Sequence, residues 1–178
     1  MSEGKRIPRD EALALANQVM DTLRPVCERI EIAGSLRRMN PDVGDIEIVC
    51  IPELIKDLLG EGFRASSSLA RLISYEPWYM HGVKGGEHYQ QYCLDLCNLD
   101  LFITTPEQWG MIYMIRTGSA DFTRRMVTPR SKGGLMPSNL NVSEGRLWQG
   151  ERALETPEED DIFRIYNMAF IEPWKRTL

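Results

Sequence analysis

The stretch from Gly34 to Cys50, GSLRRMNPDVGDIEIVC, limits the fold more than any other part of the chain. A short apolar run, Arg-Ile-Glu-Ile-Ala at 29 to 33, leads into Gly34-Ser35. From Asp45 onward polar and apolar residues alternate, which is the period of a half-buried strand. Asp45, Glu47 and Val49 therefore share one face, and Ile46, Ile48 and Cys50 the other. Two neighbouring carboxylates repel each other. A divalent cation between them removes that cost, since hard cations such as Mg2+ are held by one or two carboxylates together with phosphate oxygens. Gly34-Ser35 makes a matching half, because a glycine turn lets the backbone approach closely and its amide and hydroxyl can hydrogen-bond phosphate oxygens. Arg37 and Arg38 add positive charge beside it.

Around this stretch the chain reads as an α+β fold. Leu13, Ala16, Val19, Met20 and Leu23 recur at helical spacing, so an amphipathic helix runs from about residue 9 to 23, and Pro25 closes it. Asn40-Pro41-Asp42 marks the loop between two strands, and Pro52 ends the second. Leu54, Ile55, Leu58 and Leu59 fit a short helix, and Ser66-Ser67-Ser68 a loop or helix entry. Aromatic and β-branched residues between Ile73 and Phe102 predict two long strands about a Lys84-Gly85-Gly86-Glu87 turn. The second of these carries Leu94 to Phe102 and with it Asp100. If that strand lies beside the one bearing Asp45 and Glu47, Asp100 becomes a third converging carboxylate.

Thr105-Pro106-Glu107-Gln108 then starts a helix from Trp109 to Arg116. Thr117-Gly118-Ser119 interrupts it, and a further helix carries Ala120 to Val127. Gly145 to Gly150 predicts a small hairpin. Thr156-Pro157-Glu158-Glu159 reads as the capping start of a last helix whose apolar side is Ile162, Phe163, Ile165 and Tyr166. The acidic run Glu158 to Asp161 is read as the favourable charge of that helix N-terminus.

A chain of 178 residues holds one domain, or one with a small appendage. Its 21 Lys and Arg against 26 Asp and Glu give a net charge of −5, which removes the long-range attraction of most nucleic-acid binders, so contact with DNA or RNA must be local. Four cysteines and an N-terminus without a signal-like apolar run predict reduced thiols in a cytoplasmic protein. No segment approaches the ~20 apolar residues of a membrane span. Cys93, Cys97, His81 and His88 are spaced like no usual structural zinc site.

In order along the chain stand Ile-Pro-Arg at 7 to 9, Gly-Ser-Leu-Arg-Arg at 34 to 38, Asp45-Ile46-Glu47, Leu99-Asp100-Leu101-Phe102, Thr117-Gly118-Ser119 and the terminal TPEEDDIFRIYNMAFIEPWKR. Together these resemble the family-X DNA polymerases, of the DNA polymerase beta and lambda type, within the nucleotidyltransferase superfamily. The resemblance covers about residues 7 to 176. It implies a catalytic palm over 1–117, with a mixed β-sheet and helices, and a small C-terminal subdomain over 118–178 that binds the nascent base pair. It leaves no room for an N-terminal lyase or helix-hairpin-helix domain.

The implied activity is template-directed filling of short DNA gaps, as in DNA repair, with a dNTP and gapped or primer-template DNA as substrates and a monomer as the working form. Asp45, Glu47 and Asp100 would be the catalytic, metal-binding carboxylates for two Mg2+ ions, with Mn2+ as a substitute. Gly34, Ser35, Arg38, Gly44 and Arg9 would hold the triphosphate. Thr117, Gly118 and Ser119 would line the sugar and base, with a cis peptide after Gly118, and Ala120 and Thr123 would meet the incoming base. Arg124 and Val127 would face the template, and Arg37 would be solvated or DNA-facing. The resemblance has departures: Glu47 for Asp, Asn98 and Val127 for arginines, and Ile115-Arg116 for an aromatic pair. These predict weak DNA affinity, distributive synthesis, low fidelity and a partner protein that supplies DNA affinity. Two other readings stand beside this one: a template-independent nucleotidyltransferase acting on RNA or a small molecule, and a non-catalytic module that binds gapped DNA or a partner.

Overall fold

The computed structural model describes residues 6–56, 62–64, 69, 72–73 and 82–176. The chain forms two compact units, 1–36 with 40–104, and 37–39 with 105–178.

In the first unit, strand β1 (Ile7–Pro8) runs straight into helix α1 (Arg9–Leu23). Ala16, Val19, Met20 and Leu23 form the buried stripe that the spacing predicts, with Ala12 fully buried in place of the expected Leu13, which is only half-buried, and Arg24-Pro25-Val26 ends the helix as a single 3-10 turn. Strand β2 (Cys27–Ile32), a four-residue helix α2 (Gly34–Arg37), strand β3 (Asp42–Val43) and strand β4 (Asp45–Pro52) follow. The short β3 pairs antiparallel with β1, with Ile7 opposite Val43.

Beyond Glu53 the expected helix is not formed. Leu54–Lys56 is a strand, β5, paired antiparallel with β6 (Gly62–Arg64). A helix of one turn and a half is marginal without an extensive docked face; extended chain continuing from β4 needs only a partner strand. Leu58, Leu59 and Ser66 to Ser68 lie outside the described residues.

Strands β7 (Gly82–Lys84) and β8 (Tyr89–Cys93) flank the Gly-Gly turn as anticipated. The strand expected to run on through Leu94 is broken there. Leu94 to Cys97 makes a tight turn closed by the Leu94 amide donating to the Cys97 carbonyl at 2.9 Å, and β9 (Asn98–Ile103) returns antiparallel beside β8. Leu94 and Cys97 tuck inward from the turn. The apolar alternation slips by one residue at Leu96-Cys97, where the backbone reverses.

The main sheet has five strands in the order β2-β4-β9-β8-β7, mixed because β4 and β9 are parallel and the other pairs antiparallel. Ile46, Ile48, Cys50, Leu99, Leu101 and Ile103 form its apolar face and share one core with the stripe of α1.

The second unit begins with a 3-10 turn at Pro106–Gln108 and helices α3 (Trp109–Thr117) and α4 (Ala120–Val127). An antiparallel meander of β10 (Leu140–Ser143), β11 (Arg146–Gln149) and β12 (Arg152–Leu154) extends the expected hairpin by one strand, and helix α5 (Glu159–Ile165) follows. Met111 and Met114 of α3 are buried with Phe122, Met126, Leu147, Ile162 and Phe163. For that reason α3 groups with the C-terminal unit, and the division falls between Thr104 and Thr105 rather than after Thr117.

Helix α5 also starts later than its sequence suggests. Glu158 is the N-cap, in a capping box with Asp161. Thr156 is used elsewhere: its amide donates to Glu107 and its carbonyl accepts from Gly110 at 2.7 Å. A Cβ on Gly110 would lie 2.1 Å from the Glu158 carbonyl oxygen, so only glycine permits α3 to pass the entry to α5. Among the described residues no helix is long and apolar enough to cross a membrane.

Candidate active site

The polar face of the main sheet carries the three carboxylates. Parallel pairing sets Asp45 opposite Asn98 and Glu47 opposite Asp100. Registered neighbours lie one strand spacing apart, about 4.8 Å, and Asp45 and Glu47 are two residues apart along one strand, roughly 6.7 Å. All three are half-buried while Ile46, Ile48, Leu99 and Leu101 between them are fully buried, so the alternation in the sequence becomes a face of oxygen donors over an apolar underside.

The turn before α2 is built against this face. Gly34 has φ +61°, a left-handed conformation that favours glycine. A Cβ at Gly34 would come within 1.8 Å of Glu47 Oε2, so the Glu47 carboxylate rests on the bare Cα. The amide of Ala33 donates to the Glu47 carbonyl at 2.8 Å, and that of Asn40 to the Ser35 carbonyl at 3.0 Å. Ser35 Oγ is sealed from solvent and has no hydrogen-bond partner within the chain. At the other end of the face, burial first, then the charges of Asp45 and Cys93, push the Cys97 thiol up to about 11. All four cysteines are free.

Asp100 is held from β8. Tyr89 donates its hydroxyl to Asp100 Oδ1 at 2.8 Å, and Gln91 donates its side-chain amide to the same oxygen at 2.7 Å. The sequence reading missed both residues. Their signal is position alone: Tyr89 and Gln91 stand two apart on one face of β8, and they come beside Asp100 only because the turn at Leu94 to Cys97 folds β8 back on β9.

Among the described residues no three His, Cys, Asp or Glu side chains are drawn together as a ready metal cluster. In chemistry the donor set still suits a hard cation: three carboxylates, oxygen only, from adjacent backbone positions on one face. Glu47 is turned onto the Gly34 turn, and Asp100 toward Tyr89 and Gln91.

Of the other expected nucleotide ligands, Gly44 stands just before β4 in open space, its nearest neighbour to a Cβ being Arg6 at 4.0 Å. Arg9 opens α1, its amide donating to Pro41 and its Nε buried without a partner.

The remaining expected residues lie in the second unit. Arg38 Nη1 donates to the carbonyls of Thr117 and Gly118 at 2.8 and 3.1 Å. Thr117 is fully buried, its hydroxyl accepting from Arg37, and so does not present itself to a sugar or base. Ser119 caps α4 by accepting from the Phe122 amide, and Thr123 donates its hydroxyl to the Ile115 carbonyl. Among the described residues there is no cis peptide, so the one expected after Gly118 is absent. Ala120 is exposed at the start of α4; Arg124 is exposed and paired with Asp121, and Val127 packs on the local core.

Arg37 requires the largest correction. Rather than facing solvent or DNA, it makes a two-pronged pair with Glu159 at 2.7 and 3.0 Å and lies 3.7 Å from the ring centre of Tyr113. Glu159 also accepts from Arg176, which is fully buried among Phe122, Phe163 and Phe170. The acidic run thus hides one structural carboxylate that its neighbours disguise.

Comparison with known proteins covers the N-terminal part of the chain. Residues 6–71 match the family model of the DNA polymerase beta palm. The matched segment contains Arg9, Gly34 to Arg38 and Gly44 to Glu47, and stops before Asp100. No curated protein matches the chain. The mixed α+β architecture and mixed sheet of the first unit fit a palm-like fold, and the match points to a nucleotidyltransferase of the family-X polymerase kind.

Proposed function

We propose that the protein is a DNA-directed DNA polymerase that adds single nucleotides from dNTPs to a primer 3'-hydroxyl in short gaps. One observation carries the reading: Glu47 and Asp100 stand in register on parallel strands, with Asp45 on the same face and Gly34 pressed against Glu47. That is the arrangement needed to gather negative charge where a triphosphate must be bound with its counterions. Asp45, Glu47 and Asp100 would hold two Mg2+ ions, which when bound supply a more acidic primer hydroxyl and neutralise charge on the departing pyrophosphate.

The chain's own part is binding and orientation. Ser35 Oγ, sealed and unpartnered, gains a partner if a phosphate oxygen sits at the turn. Arg9 brings fixed positive charge at the head of α1, and the bare Gly44 admits close approach to the backbone. Ser119, Ala120 and Thr123 at the start of α4, with Arg124 beyond them, are the residues we assign to the base pair and template. With a net charge of −5, DNA affinity rests on such local contacts and is weak.

The test is extension of a labelled primer across a one-nucleotide gap, with each template base and each dNTP, in Mg2+ or Mn2+. Extension that follows the template and is lost in Asp100→Asn supports the proposal. Extension blind to the template overturns it in favour of a terminal nucleotidyltransferase. No extension, with gapped DNA still bound, overturns it in favour of a binding module. In parallel, Mg2+ or Mn2+ is expected to raise the melting temperature of the wild type and not of Asp45→Asn; an equal rise in both removes the metal assignment.

A further inference from the structure

We propose that Tyr89 and Gln91 are positioning residues for Asp100, fixing the plane of its carboxylate so that Oδ2 is the oxygen offered to a divalent cation. The inference rests on the metal-dependent reading above and adds two residues to it. Both donors lie on β8, one strand further from β4, where pairing sets Gln91 opposite Asp100 and Tyr89 opposite Phe102. Both reach the same atom, Oδ1, at 2.8 and 2.7 Å. Two donors on one oxygen set both the position and the tilt of a carboxylate, where a single bond leaves it free to turn.

The donors are themselves held. The Tyr89 ring stacks on Phe102 with centroids 5.1 Å apart and planes 23° apart, so its hydroxyl is carried on a rigid arm. Gln91 projects from the middle of a strand paired on both sides. Both are neutral, so they orient Asp100 without cancelling the charge a cation needs. Partners of this kind around a metal-binding carboxylate commonly govern affinity by about 10- to 100-fold.

The experiment titrates the full chain with Mn2+ alone, following free Mn2+ by its paramagnetic resonance signal. The variants are Tyr89→Phe, Gln91→Leu, the pair, and Asp100→Asn. Tyr92→Phe serves as control, because its hydroxyl donates to Gln90 rather than to Asp100. Tyr89→Phe keeps the stacked ring and removes only the donor. Each single variant is expected to weaken Mn2+ binding, and the pair by about tenfold, with Tyr92→Phe unchanged. Melting temperatures in EDTA are expected to match the wild type.

Wild-type affinity in the double variant, with binding lost in Asp100→Asn, overturns the positioning role and leaves the metal site standing. A wild type that binds no Mn2+, or an Asp100→Asn variant that binds it normally, overturns both. A double variant that melts early in EDTA assigns the two donors to folding and overturns the proposal.

Discussion

Gly34 shows how much one residue can determine. Its positive φ disfavours other residues, and the Glu47 carboxylate occupies the place where a Cβ would go. Gly34→Ala is therefore expected to cost about 1–3 kcal/mol in urea denaturation and to displace Glu47, because strain at such a position persists only where the surroundings enforce it. That glycine, and the carboxylates Asp45 and Glu47, were legible in the sequence because a two-residue period and a Gly-Ser turn are local signals. Arg37 and Glu159 were not. Each looks like an ordinary surface charge beside others of its sign, and only a contact across 122 residues of chain reveals its use. Tyr166 is a second single-residue case. It is buried, its hydroxyl has no partner, and burial raises its pKa above the ordinary tyrosine value. The folded protein thus keeps this proton at pH values where the unfolded chain has released it. The corresponding stability is complete below the unfolded pKa, about 10, and lost as pH rises toward the folded value. Tyr166→Phe should flatten this alkaline decline, and at neutral pH should melt no earlier than the wild type, since it removes a polar group that bonds to nothing.

Among the elements, those with strong local periodicity came out as read: α1 and α4 span the predicted residues. Elements decided by a partner did not. Leu54–Lys56 reads apolar enough for a helix but pairs with Gly62–Arg64, and the turn at Leu94 to Cys97 shows in the sequence only as a one-residue shift in the alternation between Leu96 and Cys97. Helix α5 lies between these cases. It is seven residues long, too short to stand by itself, and Glu159 in its first turn anchors it by holding Arg37 and Arg176. Glu159→Gln should lower the stability of the second unit by about 3–5 kcal/mol, because it leaves a buried arginine without its counter-charge. Arg176 has no exposed side-chain surface. The measurement is urea denaturation followed by near-ultraviolet circular dichroism. A loss below about 1 kcal/mol would place the pair with ordinary surface ion pairs.

At the level of the whole molecule, the second unit is not a continuous piece of chain. Residues 37–39 belong to it although 40–104 return to the first. A fragment cut at the apparent boundary, 105–178, lacks Arg37 and Arg38, and with them one of the two arginines on Glu159 and the donor to the Thr117 and Gly118 carbonyls. Such a fragment is expected to show no cooperative thermal transition, whereas the full chain does; a sharp transition in the fragment would show that Arg37–Met39 is dispensable. The family match over 6–71 includes this loaned segment, so a model built on the palm alone takes in residues whose partners lie beyond its end.

That loan also sets an order of events during synthesis. Chains are made from the N-terminus, and domains generally fold as units as they emerge. The strands and helix of the first unit leave the ribosome well before Glu159 exists. Arg37 therefore waits, solvated, while the sheet on either side of it assembles. Glu159, made 122 residues later, then captures Arg37, and Arg176 closes around the same carboxylate after that.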